Sequence, residues 1–251
     1  MLVKRIIMKG IRIIFSITVL LFMINMVNGQ EFEKDLISTD KGELELWFIG
    51  HGTLMFVQGD MVIHIDPVSR EADYSVLPDA DLILITHEHG DHLDPGAIKQ
   101  INKDNTTIVC NKSSSDRLDE CVVMANGDKI NIMGVAIEAV PAYNIKNERS
   151  PGKPFHPKGN GNGYILSIGG KKVYIAGDTE DIPEMKNFKD IDIAFLPMNL
   201  PYTMSPEMAA VAAKMIKPDI LYPYHFGSTD TGELVKLLEG SGIDVRIRKL
   251  Q

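Results

Sequence analysis

Between residues 44 and 87 the chain alternates short apolar runs with glycine and aspartate turns: "LELWFIG", "TLMFVQGD", "MVIHIDP" and "DLILITH". Runs this short, rich in Val, Ile, Leu and Phe, predict strands joined by tight turns. "DPGAIKQIN" (94–102) changes to helical spacing, with Asp94 as N-cap and Pro95 at the first helical position. "TTIVC" predicts a strand, "SSSDRLDE" a short capped helix and "KINIMGVAIEAVPAY" a hairpin. The second half repeats the style. "GYILSIGGKKVYIAGD" predicts a hairpin turning at Gly169 and Gly170, and "DIAFLP" a buried strand. "SPEMAAVAAKMIKPD" predicts a helix capped by Ser205, begun by Pro206 and ended before Pro218. "ILYPYHFG" is a strand running into His225, "TGELVKLLEG" a closing helix and "DVRIRKL" a last strand.

Strand-rich halves with interspersed helices predict sheets packed on each other and covered by helices, an α/β (α+β) architecture. One long irregular piece, "NIKNERSPGKPFHPKGNGNG", is rich in Gly, Pro and Asn. A loop of that length in a compact domain is usually functional or mobile.

The first thirty of the 251 residues differ from the rest. Lys4, Arg5, Lys9 and Arg12 precede an apolar stretch from Ile13 to Val27, and the small Gly29 follows. This is the pattern of a secretory signal peptide over 1–29, leaving a mature domain at 30–251 in a secreted or periplasmic location. An uncleaved anchor is the competing reading, but the stretch is short for a span and carries Ser16, Thr18 and Asn25. Removing 1–29 takes away four basic and no acidic residues, moving the formal charge from −8 to −12. Such a surface, without a Lys/Arg run, repels a phosphate backbone. The expected partner is a small-molecule substrate rather than nucleic acid, with no stable membrane insertion once the signal is cleaved. An oxidising compartment permits a disulfide between Cys110 and Cys121, although each also borders an apolar run where a buried thiol would fit.

"THEHGDHLD" gathers His87, His89, Asp91 and His92 between a strand end and a helix start. On an extended backbone, residues two apart face the same way, so His87 and His89 can present two imidazoles to one ion while Glu88 points elsewhere. Gly90 permits a turn that redirects Asp91 and His92 toward a second ion. Imidazole with carboxylate suits zinc, and also manganese, iron or nickel. A solvated turn or capping histidines would account for one histidine, not three with an aspartate.

The stretch resembles the H-x-H-x-D-H signature of the metallo-beta-lactamase superfamily of metal-dependent hydrolases. The resemblance continues, in the family's order, through "GHGT", "IHIDP", "VPAY", "IAGDTEDIPEM", "IDIAFLPMN" and "YPYHFG". It is strongest to the branch holding the ascorbate-phosphate lactonase and, more distantly, the N-acyl-phosphatidylethanolamine phospholipase D type. It implies a four-layer αβ/βα sandwich with two divalent metal ions at one edge of the sheets. His87 and His89 would hold the first ion, Asp91, His92 and His225 the second, and Asp178 would bridge both. Many relatives carry a further histidine shortly after the "VPAY" strand, where this chain has Asn144, a poor zinc ligand. His156, twelve residues on in the flexible loop, is the expected replacement, with a substrate contact or an ordinary loop histidine as alternatives.

His51 either reaches the site or caps its hairpin, and His64 reads as structural. Asp66 is an expected acceptor for the N–H of a ligating histidine, or else a plain turn residue. Tyr202 and Thr203 are candidate substrate contacts, or simply part of the loop leading into the next helix. Two cations sharing a water would make it nucleophilic near neutral pH, with Asp91 and Asp178 as the catalytic carboxylates. Three readings stand: a metal-dependent hydrolase of unassigned substrate, a lactonase or phosphodiesterase/phospholipase D-like enzyme, and a non-catalytic metal-binding protein. Antibiotic cleavage is disfavoured by the carboxylate at Asp178.

Overall fold

The computed structural model describes residues 23–27 and 30–250. Most of the expected signal segment lies outside these residues. Within it, β1 (Met23–Val27) pairs antiparallel with β2 (Gln30–Thr39). Among the described residues no helix is long and apolar enough to cross a membrane.

The first sheet runs in chain order from β1 and β2 through β3 (Gly42–Gly50), β4 (Thr53–Gln58), β5 (Met61–Ile65), β6 (Leu82–Leu84), β7 (Thr107–Cys110) and β8 (Val122–Val123). It is antiparallel as far as β5 and parallel beyond it. The second sheet starts with the antiparallel β9 (Lys129–Ile132) and β10 (Val135–Ala142). β11 (Glu148–Ser150) and β12 (Lys153–Pro154) form a separate hairpin. β13 (Gly161–Ile168) and β14 (Lys171–Ile175) complete the meander, and β15 (Ile193–Pro197), β16 (Ile220–Tyr224) and β17 (Asp244–Val245) add in parallel. Both sheets thus pass from a meander to parallel strands, which leaves strand ends and their loops along one edge.

Period-two alternation decides which side each residue packs on. Leu44, Leu46, Phe48, Leu54, Phe56, Ile63, Leu82 and Leu84 point between the sheets, into one core with Leu166, Val173, Phe195 and Tyr222 of the second sheet. Their neighbours Met55, Val62, Ile83 and Ile85 face outward and pack on Ala97, Ile98 and Ile101 of α1 (Pro95–Ile101). With the short α2 (Lys112–Ser115) between β7 and β8, α3 (Pro206–Ile216) and α4 (Thr231–Leu237) contribute Ala209, Ala213 and Leu234 to the same buried cluster as the second sheet. This is the expected four-layer αβ/βα sandwich.

Local signals fixed most helix starts. Asp94 accepts from the N–H groups of Gly96 and Ala97, and Ser205 from Met208. Three readings need correction. "SSSDRLDE" supplies only the end of α2, which Asn111 caps. "DVRIRKL" is a strand for Asp244–Val245 alone. Beyond it the chain is tied by side chains instead: the Arg248 guanidinium donates to both oxygens of Asp35 (2.6–3.0 Å), and Arg246 to Asp35 at 3.1 Å. β2 has no counterpart in the sequence reading, since acidic and basic residues interrupt its apolar positions. Cys110 and Cys121 form a disulfide, with Cα atoms 6.3 Å apart.

Candidate metal centre

After β6 the chain enters a turn in which the N–H groups of His92 and Leu93 both donate to the His89 carbonyl (3.0 and 2.9 Å). This turn brings His87, His89, Asp91 and His92 to the edge where Asp178 follows β14 and His225 follows β16. His51, Asp66 and His225 all have φ of 46–47°, a left-handed conformation that costs energy in residues with a Cβ. The His225 N–H donates to the His51 carbonyl (2.9 Å), and the His51 N–H to Leu250 (2.8 Å). Strain of this kind, held by hydrogen bonds around one point, is characteristic of functional sites.

Two overlapping donor sets result. In the first, His89 Nδ1 is 3.2 Å from both His87 Nε2 and His156 Nε2. Asp178 Oδ2 lies 3.3 Å from His156 Nε2 and 3.8 Å from His87 Nε2. Two donors about 2.1 Å from one tetrahedral ion would be roughly 3.4 Å apart, so these spacings suit a single cation. In the second set, His92 Nε2 is 3.4 Å from Asp178 Oδ1 and His225 Nε2 is 3.4 Å from Asp178 Oδ2. Asp91 Oδ2 is 3.6 Å from His225 Nε2 and 3.5 Å from His51 Nε2. The second set divides into His92, Asp178 and His225 and, toward the cavity, His51, Asp91 and His225, which share His225; Asp178 links the first set to the former.

The remaining ring nitrogens fix which one faces inward. The Thr86 hydroxyl donates to Asp66 (2.6 Å), so its oxygen accepts the Nδ1–H of His87 (3.0 Å). His92 Nδ1–H donates to Asp66 Oδ2 at 2.7 Å. Asn144 uses its amide hydrogens on Tyr202 O and Glu180, so its Oδ1 accepts both His156 Nδ1–H and His156 N–H, each at 2.7 Å. Each of these three rings therefore turns its Nε2 toward the cluster, the arrangement that metal-binding histidines use. His92 Nε2, Asp178 Oδ1 and both nitrogens of His225 are buried without hydrogen-bond partners. Buried polar atoms rarely stay unpaired, and their convergence here fits a cation.

Electrostatics agree with this donor chemistry. Burial pushes His87 well below the usual imidazole range and lowers His89, so both are neutral lone-pair donors. Burial opposes ionisation of Asp178, yet the His225 and His92 rings hold it well below the carboxylate range. Burial also works against a charge on His92, but Asp178 and Asp66 raise it well above its ordinary value. The pocket at His92 Nε2 is thus strongly cation-attracting.

Other residues named from sequence separate cleanly. Asn144 is not among the converging donors but orients His156, which takes the expected place. Asp66 accepts from His92, and His64 is buried away from the cluster with Nε2 3.0 Å from the Pro78 carbonyl. Tyr202 lines the cavity over the donors, whereas Thr203 is buried and bonds Asn199 (2.8 Å). Glu180 escaped sequence reading. It is buried and accepts from the N–H groups of Ile145, Lys146 and Asn147 (2.7–3.0 Å), fixing the loop that carries Asn144. Arg70, Arg149 and Phe155 also line the cavity, of about 520 Å³, with no local sequence signal.

Residues 45–225 match the model of the beta-lactamase superfamily domain. A UPF0173 metal-dependent hydrolase of Pyrococcus abyssi is 33% identical over 214 residues, covering 76% of this chain and 90% of its own. Its counterpart in Thermococcus kodakarensis is 34% identical, covering 72% and 84%. A solved structure from Parabacteroides distasonis, assigned provisionally as a metal-dependent hydrolase, is 55% identical with a TM-score of 0.84, covering 88% of this chain and all of its own. A metallo hydrolase from Ignicoccus hospitalis, 21% identical, shares the fold at a TM-score of 0.65, with 82% and 95% covered. The chain is accordingly a member of the beta-lactamase superfamily, among its UPF0173 metal-dependent hydrolases.

Proposed function

We propose that the protein is a dinuclear hydrolase of small esters, lactones or phosphodiesters. The observation that carries this reading is Asp178, whose carboxylate stands between the two histidine groups, with Oδ2 3.3 Å from His156 Nε2 and 3.4 Å from His225 Nε2 and Oδ1 3.4 Å from His92 Nε2. His87, His89 and His156 would hold one ion with Asp178, and His92, His225 and Asp91 the other, with zinc as the best match to the donors and manganese, iron or nickel as alternatives. The chemistry supplied by such a pair is Lewis acidity, which acidifies water and polarises a carbonyl or phosphoryl oxygen.

The chain's own residues do the rest. Asp91 is partly exposed to the cavity and lies between the His51 and His225 rings, where it can accept a hydrogen bond from an attacking water and orient it. Burial and fixed hydrogen bonds hold His87, His92 and His156 in place, so little reorganisation is needed. The non-catalytic reading rested on the loss of a ligand at Asn144. His156 in the first set removes that ground.

Elemental analysis of tag-free protein tests the metal count, with two equivalents expected and one or none overturning the dinuclear reading. His87→Ala combined with His89→Ala should abolish turnover of a chromogenic ester or phosphodiester while the circular dichroism spectrum persists; retained turnover would sink the mechanism. Export to the periplasm or exterior is part of the same proposal, supported by the basic and apolar pattern of 1–29 and by a disulfide. A mature N-terminus near residue 30, read by mass spectrometry, is the expected result.

A further inference from the structure

The cavity above the donor sets carries four formal charges on its walls besides the histidines: Asp91, Asp178, Arg70 and Arg149. Both carboxylates face the metal donors. The two guanidinium groups do not, and they stand at the mouth of a cavity in a chain with 34 acidic and 26 basic residues. Arg70 engages Glu71 through Nε (3.0 Å), which leaves its terminal nitrogens for a ligand. Arg149 sits on β11 with its guanidinium 5.7 Å from the Phe155 ring. Among the described residues no carboxylate pairs with it. Phe155 and Tyr202 pack edge to face at 5.1 Å and give the cavity an apolar wall. A planar guanidinium beside an aromatic wall favours an oxyanion attached to a small organic body.

We propose that Arg70 and Arg149 form an anion subsite, so that the substrate carries a carboxylate or phosphate away from the bond that is cleaved. The inference rests on the hydrolase reading and narrows it to acidic small molecules. With cations balancing Asp91 and Asp178, the cavity becomes net positive in a chain whose formal charge is −8. A field of that shape draws an anion to the mouth and holds it there.

The test uses matched esters. Mono-(4-nitrophenyl) glutarate ends in a carboxylate, and its methyl ester differs only in lacking the charge. The ratio of their kcat/KM values isolates the subsite. The metal-loaded wild type should favour the charged ester, and Arg149→Met or Arg70→Met should each reduce the ratio roughly tenfold, as expected for a hydrogen bond to a charged group. Lys153→Met, on β12 and outside the cavity wall, should leave the ratio as it is, which separates a subsite from a general charge effect. An ester ending in a phosphonate distinguishes the anion classes: faster turnover than the carboxylate assigns phosphate, slower assigns carboxylate.

A ratio unchanged in the double arginine variant overturns the proposal. If neither ester is turned over, the esterase form of the reading fails by itself, and calorimetric titration with monomethyl glutarate decides the subsite. Weaker binding in the double variant sustains it; equal binding, or none in the wild type, overturns it.

Discussion

Asn144→Ala should weaken one metal site and spare the other, although Asn144 is not among the converging donors. Its Oδ1 accepts from both the backbone and the ring of His156, each at 2.7 Å, in a setting closed to water. Alanine leaves two buried donors without an acceptor, each worth about 1–3 kcal/mol. Because the β11–β12 hairpin can relax, a net stability loss of about 2 kcal/mol is expected. The ring also loses the partner that aims Nε2, which typically lowers metal affinity about 10–100-fold, or about 1.4–2.7 kcal/mol. The second ion should be unaffected, since His92 is held by Asp66 and His225 lies on another loop. Competition with a chromogenic chelator would therefore show one site weakened and one as in the wild type. Asn144→Asp keeps the acceptor but brings a second carboxylate toward Glu180, whose oxygen lies 3.2 Å from the Asn144 amide nitrogen. It should retain most of the affinity at a cost in stability. Two wild-type affinities in Asn144→Ala would refute the claim that Asn144 acts through His156.

Three further outcomes follow from residues outside the donor sets. Burial pushes His64 down to about 4, so between pH 6.5 and 4 the unfolded chain binds a proton that the folded one refuses. Metal-free protein should therefore lose about 3 kcal/mol over that interval relative to His64→Gln, and parallel stability curves for the two proteins in urea would refute this. Asp35→Ala removes the carboxylate that the buried Arg248 guanidinium shares with Arg246 and should cost about 3–5 kcal/mol in the same assay, with a loss under about 1 kcal/mol counting against the clamp. Gly52→Ala would set a Cβ 2.7 Å from His92 Cε1 and 3.5 Å from the His225 ring. Affinity for the second ion should fall at least tenfold or so, and unchanged chelator competition would show that the rings can give way.

What the sequence disclosed follows the range of the interactions. His87, His89, Asp91 and His92 were legible because one strand end and one turn place them all. Asp178 and His225 were recognisable as strand-end residues, but only the docking of two sheets brings them to the histidine cluster. His156 was within reach by loop length. The reason it is aimed correctly, an Asn144 amide held by Glu180 and Tyr202, involves partners distant in sequence and left no local trace. Arg70 and Arg149 were opaque for a different reason, since an arginine on a cavity rim has the same neighbours in sequence as any solvated one. The failures in the fold were of the same kind. β2 is stabilised by pairing with β3 rather than by its own pattern, and the last residues are held by Asp35 rather than by a ladder.

The donors of each set come from opposite sheets, His87 with Asp178 and His92 with His225. A cation between them is a bolt through the seam of the sandwich, set only after the two halves have met. While bound it would tie the two sheets together, so the seam could open only with the loss of ligand bonds from one side. Contacts made that late change unfolding rates far more than folding rates. Loaded and stripped chains should therefore come together at similar speeds and part at very different ones.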